Sequence, residues 1–311
     1  MLYPVTHPLR LLQGIGLLEA ESGATLTKQL EGHAAADPNK VFLIFEDQRF
    51  TYGEANALIN QHAHSYRALG VGHGDVVALL LENRPAFLWH LFGLQKIGAI
   101  GSLINTHLVG ESLAHAISIC RPRHVVVGSE MWAAFEHVRA RLAEISEGMV
   151  DVDHAGPVAN GTGAAAWSER LQHASRSNPA PNARITLADQ AAYIYTSGTT
   201  GLPKAAVVRH SRFFRAGAVW AGLAYRYRPG DVLYNCLPLY HANGLLLATG
   251  SVVTAGVTMV LARKFSRKHF WDDVRKTDAT GFIYIGELCR YLMNNPASPQ
   301  DRQHKVRVIS G

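Results

Sequence analysis

Short apolar runs alternate with longer, more polar stretches along most of the chain, and that alternation restricts the fold more than any other feature. Residues 75–81, 99–104 and 124–127 are too short for stable helices and read as strands. Residues 52–69, 85–97, 111–118 and 131–145 between or after them read as helices. Pro85 suits a first helical position, where no N–H is needed, and Gly70 suits a helix end. Residues 41–45 and 49–51 flank Glu46-Asp47-Gln48 and read as a hairpin. Beyond residue 189 strands are expected at 191–195, 231–236, 257–261, 281–285 and 305–309, with helices at 211–223, 267–277 and 286–294 and a loop and helix over 238–255. Strand–helix order repeated at this pitch calls for an α/β fold, its parallel sheets flanked by helices on both faces.

The chain is 48% hydrophobic and only 17% charged, enough to bury a sizeable core and too apolar for disorder. Between residues 147 and 188 the texture shifts to Gly, Ala, Asn, Pro and Ser. Three parts follow: a first α/β subdomain at 1–150, a surface excursion at 151–188, and a second α/β unit at 189–311. The net charge of +6 suits anionic ligands, but no zipper, finger or aromatic–basic ladder points to nucleic acid. Cys120, Cys236 and Cys289 lie far apart, which argues against a disulfide framework or zinc ribbon and fits a reducing, cytoplasmic setting. His62 and His64 are two apart on an expected helix, point in different directions, and read as solvated. The first sixteen residues show no signal-peptide pattern. Residues 242–262 carry no charge over about twenty positions, the length of a membrane span. Their glycines and hydroxyls fit better with a buried helix ending near Gly256 and a strand at 257–261.

The chemistry concentrates in Tyr195-Thr-Ser-Gly-Thr-Thr-Gly-Leu-Pro-Lys204, directly after the apolar run Ala191-Ala192-Tyr193-Ile194. Glycines let backbone N–H groups close around phosphate oxygens, hydroxyls add donors, and a lysine adds a mobile positive charge. A Walker loop has Gly, four residues, then Gly-Lys-Ser/Thr. Here Gly198 and Gly201 have the wrong spacing, Pro203 precedes Lys204, and Ala205 follows it, so that reading fails. No base accompanies the hydroxyls, which excludes a serine hydrolase.

The run resembles the phosphate loop of the adenylate-forming enzymes: acyl-CoA synthetases, luciferases and peptide-synthetase adenylation domains. Lys204-Ala205-Ala206 is similar to the fatty-acid transport protein/very-long-chain acyl-CoA synthetase branch, as are Lys264-Phe265, Phe270-Trp271-Asp272-Asp273 and residues 282–292. The resemblance covers roughly residues 38–311. It implies the N-terminal large-domain portion of that fold, with the small C-terminal domain absent from this stretch. It also implies an AMP-forming, long-chain fatty acid:CoA ligase, with ATP, Mg2+ and CoA as co-substrates and a fatty acid as substrate. Thr196, Ser197, Gly198, Thr199, Thr200, Gly201 and Lys204 would bind the ATP phosphates, Thr200 on the magnesium side.

Pro238-Leu-Tyr-His-Ala-Asn-Gly244 resembles the superfamily's second block, which places Tyr240 and His241 at the acyl-pocket mouth, where the imidazole orients a carboxylate. A loop histidine satisfied by backbone is the plainer alternative. Tyr284, Gly286 and Glu287 would border the acyl tunnel, or form an ordinary strand–helix turn with Glu287 near a helix N-terminus. Tyr52 and Glu54 open a helix and are read as structural. The basic group Arg263, Lys264, Arg267, Lys268, Arg275 and Lys276 reads as a solvated helix face, or as a contact for CoA or acidic lipid at the inner face of a membrane. The family's magnesium-binding glutamate, ribose-binding aspartate, hinge arginine and catalytic lysine fall past Gly311. No catalytic residue is therefore assignable, the isolated stretch is expected to be inactive, and Lys305 and Arg307 are not substitutes. Rival readings are a non-catalytic lipid-binding or uptake module at a membrane surface, and a carnitine- or aromatic-acid:CoA ligase. The oligomeric state is not legible.

Overall fold

The computed structural model describes residues 20–142, 147–151, 164–180, 185–196 and 201–311. In chain order these begin with α1 (Leu26–Ala36), β1 (Val41–Phe45), β2 (Gln48–Thr51), α2 (Tyr52–Ala68), β3 (Val76–Leu80), α3 (Pro85–Lys96) and β4 (Ile100–Leu103). There follow α4 (Gly110–Ser118), β5 (His124–Gly128), α5 (Trp132–Arg139), β6 (Glu147–Asp151), α6 (Ala164–His173), β7 (Gln190–Thr196), β8 (Lys204–Arg209) and α7 (His210–Val219). The last are β9 (Val232–Asn235), α8 (Gly250–Ala255), β10 (Thr258–Leu261), α9 (Phe270–Lys276), β11 (Gly281–Ile283), α10 (Gly286–Met293) and β12 (Val308–Ser310).

Packing divides the described chain by sheet rather than by stretch of sequence. One compact unit takes Ala20–Thr27 and Glu54–Ser211; the other takes Lys28–Gly53 and Arg212–Gly311. Among the described residues each carries a six-stranded sheet. In the first the order is β6-β5-β3-β4-β7-β8, parallel except for β8, which runs antiparallel to β7 at the edge. In the second it is β12-β11-β9-β10-β1-β2, parallel except for β2, which closes the expected hairpin on β1. Strands β5 and β4 are buried along their whole length, as expected of parallel strands covered on both faces.

Two sequence readings change in the first unit. Where the Gly- and Ala-rich texture begins, β6 pairs parallel with β5, and the stretch read as a surface excursion at 151–188 contributes α6, whose Trp167 is buried. Its tail is sewn onto α2: Asn60 Nδ2 donates to Arg176 O (2.7 Å), and Gln61 Nε2 donates to Leu171 O (2.7 Å). Lys96, buried at the end of α3, donates to the side-chain oxygens of Asn56, Asn60 and Asn178 at 2.6, 2.7 and 3.0 Å. The second change is His62, which is not solvated. Its Nδ1 lies 2.8 Å from Leu58 O, and its ring meets His90 edge-on at 4.6 Å. His90 stacks on Trp167 and shares a 2.6 Å hydrogen bond with the Tyr66 hydroxyl. Helical periodicity turned His62 inward onto α3. His64 is half-exposed and bonds Ser177 O at 3.0 Å.

In the second unit the uncharged run at 242–262 divides as expected into helix and strand. Gly256, at φ +66, takes the left-handed conformation that ends α8, and β10 follows. Among the described residues no helix is long and apolar enough to cross a membrane. Tyr52 is buried and donates to Val257 O at 2.9 Å, the structural role expected of it. Arg307 is also structural: it pairs with Asp231 and donates to Tyr225 O at 3.1 Å.

Candidate functional site

The phosphate-loop candidate sits at the mouth of the β7–β8 hairpin. Thr196, the last residue of β7, lies in register opposite Lys204, the first residue of β8, and both are exposed. Ser197, Gly198, Thr199 and Thr200 lie outside the described residues. Gly201 has φ +96, and a Cβ there would meet no atom within 4 Å, so its backbone conformation rather than crowding calls for glycine. Among the described residues Lys204 has no ion-pair partner. The sequence reading ran the loop towards a helix start near Ser211. That start is met, with α7 beginning at His210, but the structure adds the edge strand β8 between loop and helix. Any phosphate contact would thus come from the loop's own N–H groups, hydroxyls and Lys204, not from a helix dipole.

Tyr195, one residue before the loop, ties β7 to the core. Its hydroxyl donates to Ala116 O at 2.6 Å, lies 2.7 Å from Ser102 Oγ, and lies 3.3 Å from Cys120 Sγ. With its single proton on Ala116, it accepts from Ser102. Burial raises the phenol pKa well above its ordinary value, and the Cys120 thiol moves the same way for the same reason. Both groups stay neutral, so they brace the strand rather than carry chemistry. Sequence reading took Tyr195 only as the start of the motif; its partners lie some eighty residues earlier, out of reach of any local pattern.

The second candidate loop lies in the other unit, after β9. Buried Asn235 accepts from Leu237 N (3.1 Å) and donates to Gly244 O (2.9 Å), and Thr249 Oγ1 donates to that same carbonyl (2.9 Å). A Cβ on Gly244 would stand 2.4 Å from Pro238 O and 2.8 Å from Leu237 O. The turn can fold this tightly only because residue 244 is glycine. Within it Tyr240 is buried while His241 is exposed, with ring centroids 4.6 Å apart. The tyrosine anchors and the imidazole faces outward. Where a loop and then one helix were expected over 238–255, the turn leads into a π-helical stretch, Asn243–Thr249, before α8. Within it the Thr249 hydroxyl reaches back five residues to Gly244 O.

Tyr284, Gly286 and Glu287 sit between β11 and α10. Tyr284 is half-buried and its N–H donates to Ser310 O at 2.9 Å. Gly286 opens α10, and a Cβ there would meet no atom within 4 Å. No neighbouring backbone requires this glycine. Glu287 is exposed in the first helical turn, 3.6 Å from Arg290 of the same helix. Most of the basic group is tied up locally: Arg263 with Glu46, Arg275 with Asp272, Lys276 with Asp47, and Arg267 with Asn294 O and Asn295. Among the described residues no cluster of His, Cys, Asp or Glu could hold a metal ion. Thr200, the magnesium-side candidate, lies outside the described residues.

Residues 30–311 match the family model described as AMP-binding enzyme. The chain belongs to that family. Among its curated relatives, the medium/long-chain-fatty-acid–CoA ligase FadD6 of Mycobacterium tuberculosis is 40% identical over 296 residues, 95% of this chain and 47% of its own length. Long-chain fatty acid transport protein 2 of Rattus norvegicus is 37% identical over 89% of this chain and 44% of its own length. The chain thus spans about half the length of the curated relatives it matches. Among solved structures, the inhibitor-bound N-terminal domain of FACL13 from Mycobacterium tuberculosis superposes with a TM-score of 0.79 at 24% identity, over 92% of this chain and 69% of that one. That likeness shows an AMP-binding enzyme's fold and nothing finer.

Proposed function

We propose that this chain is the ATP-phosphate and acyl-pocket portion of an ATP-dependent, AMP-forming long-chain fatty acyl-CoA synthetase. In the first half-reaction a carboxylate oxygen attacks the α-phosphorus of ATP; the bond to the β-phosphate oxygen breaks and pyrophosphate leaves. In the second, the CoA sulfur attacks the acyl carbon and AMP leaves with the electron pair of the acyl–oxygen bond. Thr196, Ser197, Gly198, Thr199, Thr200, Gly201 and Lys204 hold the β- and γ-phosphates and offset the charge that develops on pyrophosphate. Tyr240 and His241 stand at the acyl-pocket mouth, with Tyr284 and Gly286 on its border. Magnesium, when bound with ATP, would neutralise phosphate charge.

The observation that carries this reading is the loop mouth: an exposed Lys204, without an ion-pair partner among the described residues, in register with Thr196, with glycine at φ +96 between them. Kinship with FadD6 and the transport proteins supports the fatty-acyl substrate. The transport proteins' printed name also suits the rival uptake module, and one experiment separates the two. In the full-length protein, Lys204→Ala should slow pyrophosphate release at saturating fatty acid. Losing one charged hydrogen bond corresponds to about 1.5–3 kcal/mol, roughly 10- to 150-fold. An unchanged rate and ATP dependence would remove Lys204 from the site, and no pyrophosphate release by the wild type would favour uptake without synthesis.

A further inference from the structure

Two consecutive residues of α4 hold the two feet of the β7–β8 loop. On the β7 side, Tyr195 donates to the carbonyl of Ala116. On the β8 side, His115 Nε2 donates to the carbonyl of Pro203 at 3.2 Å. Pro203 is buried and immediately precedes Lys204, while Tyr195 immediately precedes Thr196, which pairs with Lys204 across the hairpin. The helix supplying both contacts is firmly seated: Leu113, Ala116 and Ile117 are fully buried in the same apolar cluster as Val125, Val127 and Tyr195. The His115 side chain is half-exposed, and among the described residues its imidazole makes no other hydrogen bond, so the ring's one directional contact is to the loop.

We propose that His115 is a positioning residue that fixes the Pro203 foot of the phosphate loop and thereby aims Lys204. Proline lends this foot no N–H, so its carbonyl is the handle left for a partner. Every degree of freedom of the Pro203–Lys204 foot removed before phosphate arrives lowers the entropy lost on binding. A contact from a firmly seated helix is an efficient way to remove it. The Nε2–H donor is required; the ring's bulk is not.

The inference rests on the phosphate-loop reading, and the test separates them. In the full-length protein, KM for MgATP, KM for fatty acid and Tm are measured for the wild type, His115→Phe, His115→Gln and Lys204→Ala. His115→Phe keeps a ring and removes the donor. Its KM for MgATP should rise about 3- to 10-fold, the size of one net hydrogen bond, with the fatty-acid KM within about twofold and Tm nearly unchanged. His115→Gln, which restores an N–H donor, should return the MgATP value to within about twofold of wild type. An unaltered MgATP KM in His115→Phe beside a raised one in Lys204→Ala would overturn the role of His115 and leave the loop reading standing. If Tm and both KM values deteriorate together in both His115 variants, His115 is merely structural and the inference is wrong. If Lys204→Ala leaves MgATP dependence untouched, both fall.

Discussion

At the scale of single residues, the hairpin carrying the loop has a buried titratable group at its base. His210 is fully buried, and among the described residues neither ring nitrogen has a hydrogen-bond partner. Burial lowers its pKa from 6.5 to about 4; nearby Asp189 opposes the shift and His73 adds to it. The folded value lies below the unfolded one, so the neutral ring contributes stability that is complete above 6.5 and lost as pH falls through 6.5 towards 4. Between pH 8 and pH 5 the loss should be about 2 kcal/mol. Denaturant midpoints of the wild type and His210→Gln at those two pH values check this. The variant should lose correspondingly less on acidification, and an equal loss would mean that another group carries the pH dependence. The loop candidate could be singled out in sequence because glycines, hydroxyls and a lysine in one run suggest their chemistry locally. His210, Tyr195, His62 and His115 were not, because each is defined by partners on elements far along the chain.

At the scale of elements, two glycines that look alike in sequence should behave differently. Gly244 is packed so closely that a Cβ would stand 2.4 Å from a backbone oxygen, so Gly244→Ala must shift the turn bearing Tyr240 and His241. We expect it to cost about 1–3 kcal/mol of stability, read from the denaturant midpoint. Gly286 has open space where its Cβ would lie and occupies a helix, so Gly286→Ala should leave stability equal or up to about 1 kcal/mol higher. If Gly286 borders the acyl tunnel, that variant should still raise the fatty-acid KM. A destabilised Gly286→Ala with unchanged KM would place it in the ordinary turn instead. The elements themselves were largely legible, since buried parallel strands are short apolar runs and Pro85 and Gly256 mark helix ends. Strand β8 was not: Lys204-Ala-Ala-Val-Val-Arg209 lies at a sheet edge with four of its six residues exposed, so it lacks the apolar density of the inner strands. Strand β6 and helix α6 escaped notice for a similar reason, because Gly- and Ala-rich composition hides elements that depend on tertiary packing.

At the scale of the whole molecule, the two sheets share a plan in which five parallel strands end in one antiparallel edge hairpin. One of those hairpins holds the phosphate-loop candidate, and the turns after β9 and β11 of the other sheet hold the acyl-pocket candidates. The central claim is that these parts serve a long-chain fatty acyl-CoA synthetase. An apolar tunnel gains about 0.8 kcal/mol per buried CH2, so affinity should climb with acyl length until the tunnel is full. The most direct test is kcat/KM of the full-length protein for straight-chain acids from acetate to a twenty-carbon chain. ATP and CoA are held fixed and each acid is kept below its micelle threshold, with benzoate and carnitine alongside. The account predicts a rise of roughly fourfold per methylene, levelling at long chains, with acetate, benzoate and carnitine far below. A flat profile, or a best substrate that is short, aromatic or zwitterionic, would contradict it.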